Sequence, residues 1–128
     1  MTKNESIRKF VRNTLGCKCP DNVFAQIDDK QVTSKISPHT RSITIGGKLL
    51  LYVWEVNSPD QLQEGIPAIL ATGKKARNDL GLNRFRAILV TEDPSTIKIQ
   101  ADFCLSQFRD IDDKMHLHVV SSKGFTGI

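Results

Sequence analysis

The stretch Lys48-Leu49-Leu50-Leu51-Tyr52-Val53-Trp54-Glu55-Val56 restricts the fold more than any other part of the chain. Side chains of a strand alternate between its faces. Leu49, Leu51 and Val53 therefore point one way, and Leu50, Tyr52, Trp54 and Val56 the other. Both sets are large and apolar, so both faces need covering. That predicts a central strand inside a layered α/β structure rather than a half-solvated antiparallel one.

The flanking elements follow from turn and helix signals. Arg41 to Ile45 alternates, and Gly46-Gly47 supplies the positive φ angles of a tight hairpin, pairing 41–45 antiparallel with 48–56. Ser58-Pro59 starts a helix whose inner face carries Leu62, Ile66, Ile69, Leu70, Gly73, Ala76 and Leu80. Gly65 and Pro67 predict a kink or break, and Gly81 a stop. Arg84 to Thr91 is a second buried strand. Ile97 to Phe108 fits either period, and the Asp93-Pro94 start signal favours helix. Lys114 to Val120 is the last strand. Upstream, Ile7, Phe10, Val11 and Leu15 make the apolar stripe of a helix from Asn4 to Leu15. A short helix through Val23, Phe24 and Ile27, a turn at Asp28 to Gln31 and an edge strand from Val32 to Ser37 complete the chain. The expected architecture is α/β, one domain over 1–128. N-terminal helices precede the antiparallel hairpin at 41–56, and strand-helix-strand-helix-strand follows with parallel pairing. Helices cover the mixed sheet.

A chain of 128 residues can bury enough surface to fold without disulfide or metal staples. Apolar residues are 39% and charged ones 25%, which excludes a disordered or membrane-spanning composition. No apolar leader core precedes the first helix, which predicts a cytoplasmic protein with its three cysteines reduced. The net charge of +4 permits an anionic partner without demanding one.

Four constellations carry candidate chemistry. Cys17-Lys18-Cys19 places two thiols on one side of an extended loop, with Lys18 favouring thiolate. That is a metal-binding or redox pattern, and it is the leading functional expectation. His116 and His118 project from one face of the last strand. Together with Cys17 and Cys19 they would make a tetrahedral sulfur–nitrogen set for a transition metal such as zinc. The carboxyl ends of the parallel strands carry Glu55, Asn57, Thr91, Glu92, Asp93, Ser121, Ser122 and Lys123, a place for Mg²⁺ and phosphate chemistry. Lys74, Lys75, Arg77, Arg84 and Arg86 form a basic cluster for nucleic-acid phosphates. Ile99 and Phe103 lie off the apolar stripe of their helix, suiting a homo-oligomer or protein partner. His39 reads as a loop residue and Cys104 as core.

The αβββαβ order resembles, in topology only, the core of the restriction-endonuclease-like nucleases. Their third strand carries an E-x-K motif with an acidic residue before it. Here Glu55-Val56-Asn57 has asparagine where the lysine orients the attacking water.

Overall fold

The structure is a computed structural model that describes residues 3–14, 26–33, 35–125 and 128. Its elements run α1 (Lys3–Lys9), a π-helical turn (Phe10–Thr14), β1 (Ile27–Gln31), β2 (Arg41–Ile45), β3 (Leu49–Glu55), a 3₁₀ turn (Pro59–Gln61), α2 (Leu62–Asp79), β4 (Arg84–Thr91), α3 (Pro94–Gln107) and β5 (Met115–Ser121). The five strands form one sheet in the order β1-β2-β3-β4-β5. β1, β2 and β3 pair antiparallel, while β3, β4 and β5 pair parallel. The protein is therefore an α/β mixed sheet covered by helices.

β3 is central because its two apolar faces feed two separate cores. Leu50, Tyr52 and Trp54 pack with Leu62, Ile66, Ile69 and Leu70 of α2 and with Ile97 and Ala101 of α3. Leu49, Leu51 and Val53 pack with Ile7, Phe10 and Val11 at the N-terminus and with Ile43, Ile45, Ile88 and Val90 of the sheet. Both crossover helices thus lie on one face and α1 on the other. The hairpin turns at Gly46 and Gly47, with φ of 58° and 66°, and the Lys48 N–H closes it on the Ile45 carbonyl at 3.0 Å. This is the mirror-image turn whose twist suits adjacent strands.

Start signals place the helices. Ser58 accepts from the Asp60 N–H, and Gln61 reaches back to the Ser58 N–H in a capping box. Asp93 accepts from the Thr96 N–H at the head of α3. The break expected at Gly65 and Pro67 does not occur: α2 runs unbroken through both. Gly65 is there for contact, since a Cβ at that position would lie 2.2 Å from the Trp54 ring. Gly73 faces the Phe85 ring in the same way, at 2.1 Å.

Three sequence expectations upstream are corrected. The strand expected at 32–37 is instead β1 at 27–31, built from the residues that look like a turn. Asp28 and Lys30 point to solvent, and Asp29 is held by Arg41, so tertiary pairing overrides the polar composition. Ile27 belongs to that strand and not to a helix, while Val23 and Phe24 lie outside the described residues. The first helix is α-helical only to Lys9 before its π-helical turn, and Leu15 lies outside the described residues. At the other end, Ile97 and Ala101 are buried within α3, so the ambiguous stretch is helix.

Leu51 is 1% exposed and touches the α1 side of the sheet. Leu51→Ala should lower unfolding free energy by about 2–5 kcal/mol in a urea titration. Gly73→Ala tests packing against propensity. Alanine is favoured in a helix by roughly 1 kcal/mol, yet its Cβ would enter the Phe85 ring, so the variant should be less stable than the parent.

Candidate functional site

The alternation along β4 and β5 decides where the candidate residues go. Phe85, Ala87 and Leu89 join the α2–α3 core, so Arg84 and Arg86 point to the α1 side with Ile88 and Val90. Met115, Leu117 and Val119 lie on the α2–α3 side, which puts His116 and His118 on the α1 side. In register, Arg86 is opposite His116 and Ile88 is opposite His118. Two guanidiniums and two imidazoles therefore share the amino-terminal half of one sheet face.

They interact. Arg86 Nη1 lies 2.8 Å from His118 Nε2, a contact in which the guanidinium donates and the neutral ring accepts. Burial, then the charges of Arg86, His116 and Lys98, push His118 down to about 4. His116 is lowered as well, by burial and by Arg86 and Arg84, with Asp112 and Asp113 pulling the other way. Arg86 is itself lowered by burial and by the neighbouring Arg84 charge. Both imidazoles are neutral at pH 7.

The basic residues of α2 stand elsewhere. α2 covers the opposite face of the sheet, so Lys74, Lys75 and Arg77 do not join Arg84 and Arg86 in one surface. Arg77 is nearly buried and binds Asp112 through two parallel bonds, Nη1 to Oδ1 at 2.9 Å and Nη2 to Oδ2 at 2.6 Å. Asp112 also accepts from the Lys114 N–H at 2.9 Å. Hydrogen bonding from Arg77 is the main reason its carboxyl drops to about 2. Lys74 donates to the Asp110 carbonyl at 2.8 Å, and Lys75 pairs with Asp79 at 2.7 Å. The Arg77 and Lys74 contacts clip the end of α2 to the loop before β5, while the Lys75–Asp79 pair lies within the helix. The position of Arg77, four residues after Gly73 on the inner face, is the sequence signal for this role.

Cys17 and Cys19 lie outside the described residues. Among the described residues no group of three or more His, Cys, Asp or Glu side chains could hold a metal ion. For the set with His116 and His118, the Nε2 of His118 is occupied by a cation, Arg86. Cys104 carries a free thiol at the edge of the larger core.

At the carboxyl ends of β3, β4 and β5, Glu55, Asn57, Thr91, Glu92, Ser122 and Phe125 line a shallow cleft of about 310 Å³. Part of this polar set is used by turns. Thr91 accepts from the Asp93 N–H, Ser121 from the Lys123 N–H, and Asp93 caps α3. Glu55 ends β3 on the α1 side, and Asn57 stands exposed beyond it.

Sequence reasoning missed two polar arrangements. Arg41 holds Asp29 through Nε at 2.7 Å and Nη2 at 2.6 Å, and also donates to the Ile128 carbonyl. His39 is no open loop residue: it is buried, stacks 3.7 Å from the Tyr52 ring and bonds Ser37 Oγ at 2.7 Å. Pro38 and a short polar loop give no hint of that burial.

No helix of the described residues is long and apolar enough to cross a membrane. Comparison with protein-family models, with curated proteins and with solved structures finds no match.

Two pH windows follow. His118 has a folded pKa below its unfolded value, so the unfolded chain takes up the proton first. Stability should fall as pH drops from about 6.5 towards 4, by about 2 kcal/mol for His118 after allowance for partial exposure. His118→Gln, which keeps an acceptor for Arg86, should reduce that slope in urea titrations at pH 7 and 4.5. Asp112 has a lowered folded pKa, so its contribution is present above the unfolded carboxyl range. It is lost only at lower pH, as the pH falls from about 4 towards 2. Asp112→Asn should remove that second loss.

Proposed function

We propose that the chain is a binding module whose ligand is a phosphate-rich polyanion of the nucleic-acid class, held on the α1 side of the sheet at Arg84 and Arg86. The observation that carries this reading is the juxtaposition of two guanidiniums on one strand face, flanked by His116 and His118. Burial first and the Arg84 charge second lower Arg86, and a bound anion would favour its charged form. Arg84 is exposed and Arg86 is half-buried, which gives one accessible and one anchored donor. Arginine suits phosphate because its planar fork donates two bonds at once. The neutral imidazoles supply further donors without adding charge at pH 7. Phosphate contacts of this kind carry little base information, so weak sequence preference is part of the proposal. A cytoplasmic setting fits both the ligand class and the free thiol of Cys104.

A second reading keeps the thiol-centred metal or redox role at Cys17 and Cys19. One observation favours it: His116 and His118 share a face and are neutral at pH 7, the form in which imidazole binds metal. Zinc titration with thiol counting separates the two readings. Protection of two thiols by one equivalent of zinc, lost in Cys17→Ser, would favour the metal.

The anion reading is tested with a fluorescent duplex DNA over a range of salt. Binding should weaken steeply as salt rises. Arg84→Gln should reduce the slope of log K against log salt by about 0.9. The double variant Lys74→Gln, Lys75→Gln lies on the other side of the sheet and should leave both slope and affinity unchanged. The opposite pattern would move the site to α2, and no binding at low salt would remove the reading.

A further inference from the structure

The two edges of the sheet are not alike. β1 ends it on one side with the sequence Ile27-Asp28-Asp29-Lys30-Gln31, short and charged, the kind of edge that resists further pairing. β5 ends it on the other with Met115-His116-Leu117-His118-Val119-Val120-Ser121. That strand has no proline and no Lys, Arg, Asp or Glu, and all but its first residue are half-exposed. Its own sequence lacks the charges and prolines that protect an edge.

The hydrogen bonds show which groups β5 presents. The Lys114 carbonyl accepts from Phe85 of β4, and the Ser122 N–H donates to Thr91 of β4. Even-numbered residues therefore direct their main chain inward, and odd-numbered ones outward. Two outward groups are already used: the Met115 N–H donates to the Asp112 carbonyl, and the Ser121 carbonyl accepts from Phe125. Among the described residues nothing engages the outward N–H and C=O of Leu117 and Val119, the carbonyl of Met115 or the N–H of Ser121.

This pattern is complementary to itself. We propose that two copies of the chain pair edge to edge through β5, antiparallel about a two-fold axis at His118. In that register Leu117 faces Val119 of the second copy, and the two exchange N–H and C=O bonds on each side of the axis. Met115 faces Ser121 of the second copy, and the one carbonyl and one N–H still open at those positions meet. The groups consumed by local turns are opposite each other, so none is stranded. Just beyond the strands, exposed Asp113 comes opposite exposed Lys123 of the second copy. Shifting the register by two residues loses this charge match: Lys123 then stands opposite Ile111 or Met115 instead. The match of open groups with open groups, and of acid with base, is what selects a second copy over an unrelated strand. The pairing would join two sheets into one and set two Arg84–Arg86 strips on a continuous face. It does not depend on those strips binding an anion.

The contact is one strand wide, so the dimer is expected to be weak, dissociating in roughly the micromolar to millimolar range. Sedimentation equilibrium of the full chain up to about 1 mM tests it. Val119→Pro removes an outward N–H that the sheet does not use, and proline is tolerated at such edge positions. It should weaken association at least tenfold with the circular dichroism spectrum unchanged. Asp113→Lys, a surface change, should weaken association several-fold, and adding Lys123→Asp to it should restore dimerisation. A chain monomeric throughout the range overturns the proposal. So does a dimer in which folded Val119→Pro and Asp113→Lys variants associate like the parent, or one that the charge swap fails to restore. In the last two cases the contact lies elsewhere, with the exposed Ile99 and Phe103 of α3 as the first alternative.

Discussion

The burial of β3 on both faces is the constraint from which the other features descend. A strand with large apolar side chains on both sides cannot be stable at an edge or with one face in water. It therefore recruits α2 and α3 to one side and the N-terminal helix to the other. The close approach of α2 depends on missing side chains: Gly65 admits the Trp54 ring and Gly73 the Phe85 ring. Tyr52 adds a second aromatic layer, packing edge-on against Phe85 and flat against His39. These contacts fix the height of α2 over the sheet, and that height sets where its charged end falls.

The distribution of charge is a consequence of that geometry. Strand alternation sends Arg84 and Arg86 to the side away from α2, although Arg77 is only seven residues before Arg84 in sequence. Arg77, on the inner face of the helix, meets Asp112 and becomes a tether. A bidentate pair of this kind, partly shielded and with its lone pairs further satisfied by the Lys114 N–H, is stronger than an exposed pair such as Lys75–Asp79. On the other face Arg86 donates to the His118 imidazole, at 2.8 Å.

The two edges complete this picture. β1 gives its charge to solvent and to Arg41, whereas β5 gives its inward groups to β4 and, among the described residues, leaves most of its outward groups open. An edge-paired assembly would also screen the half-exposed Leu117 and Val119, which sit at the rim of the larger core. The basic face and the open edge meet at His118, whose ring touches Arg86 and whose backbone lies at the middle of β5.

Local sequence determined the central strand, the Gly46-Gly47 hairpin, the caps at Ser58 and Asp93, and the two-faced burial of 84–91. Each rests on a period or a turn residue that acts over a few positions. Alternation also determined that His116 and His118 share one face, and that Arg84 and Arg86 share one. Tertiary structure alone decided which residues from distant elements meet. Asp28 to Gln31 looks like a turn, yet becomes a strand because β2 offers a partner and Arg41 holds Asp29. His39 is buried because the loop after β1 folds over Tyr52. The five basic residues from Lys74 to Arg86 are close in sequence, but the sheet lies between them. The physical reason is that periodicity fixes the direction of a side chain only relative to its own element. Which element covers that side depends on packing between segments far apart in the chain.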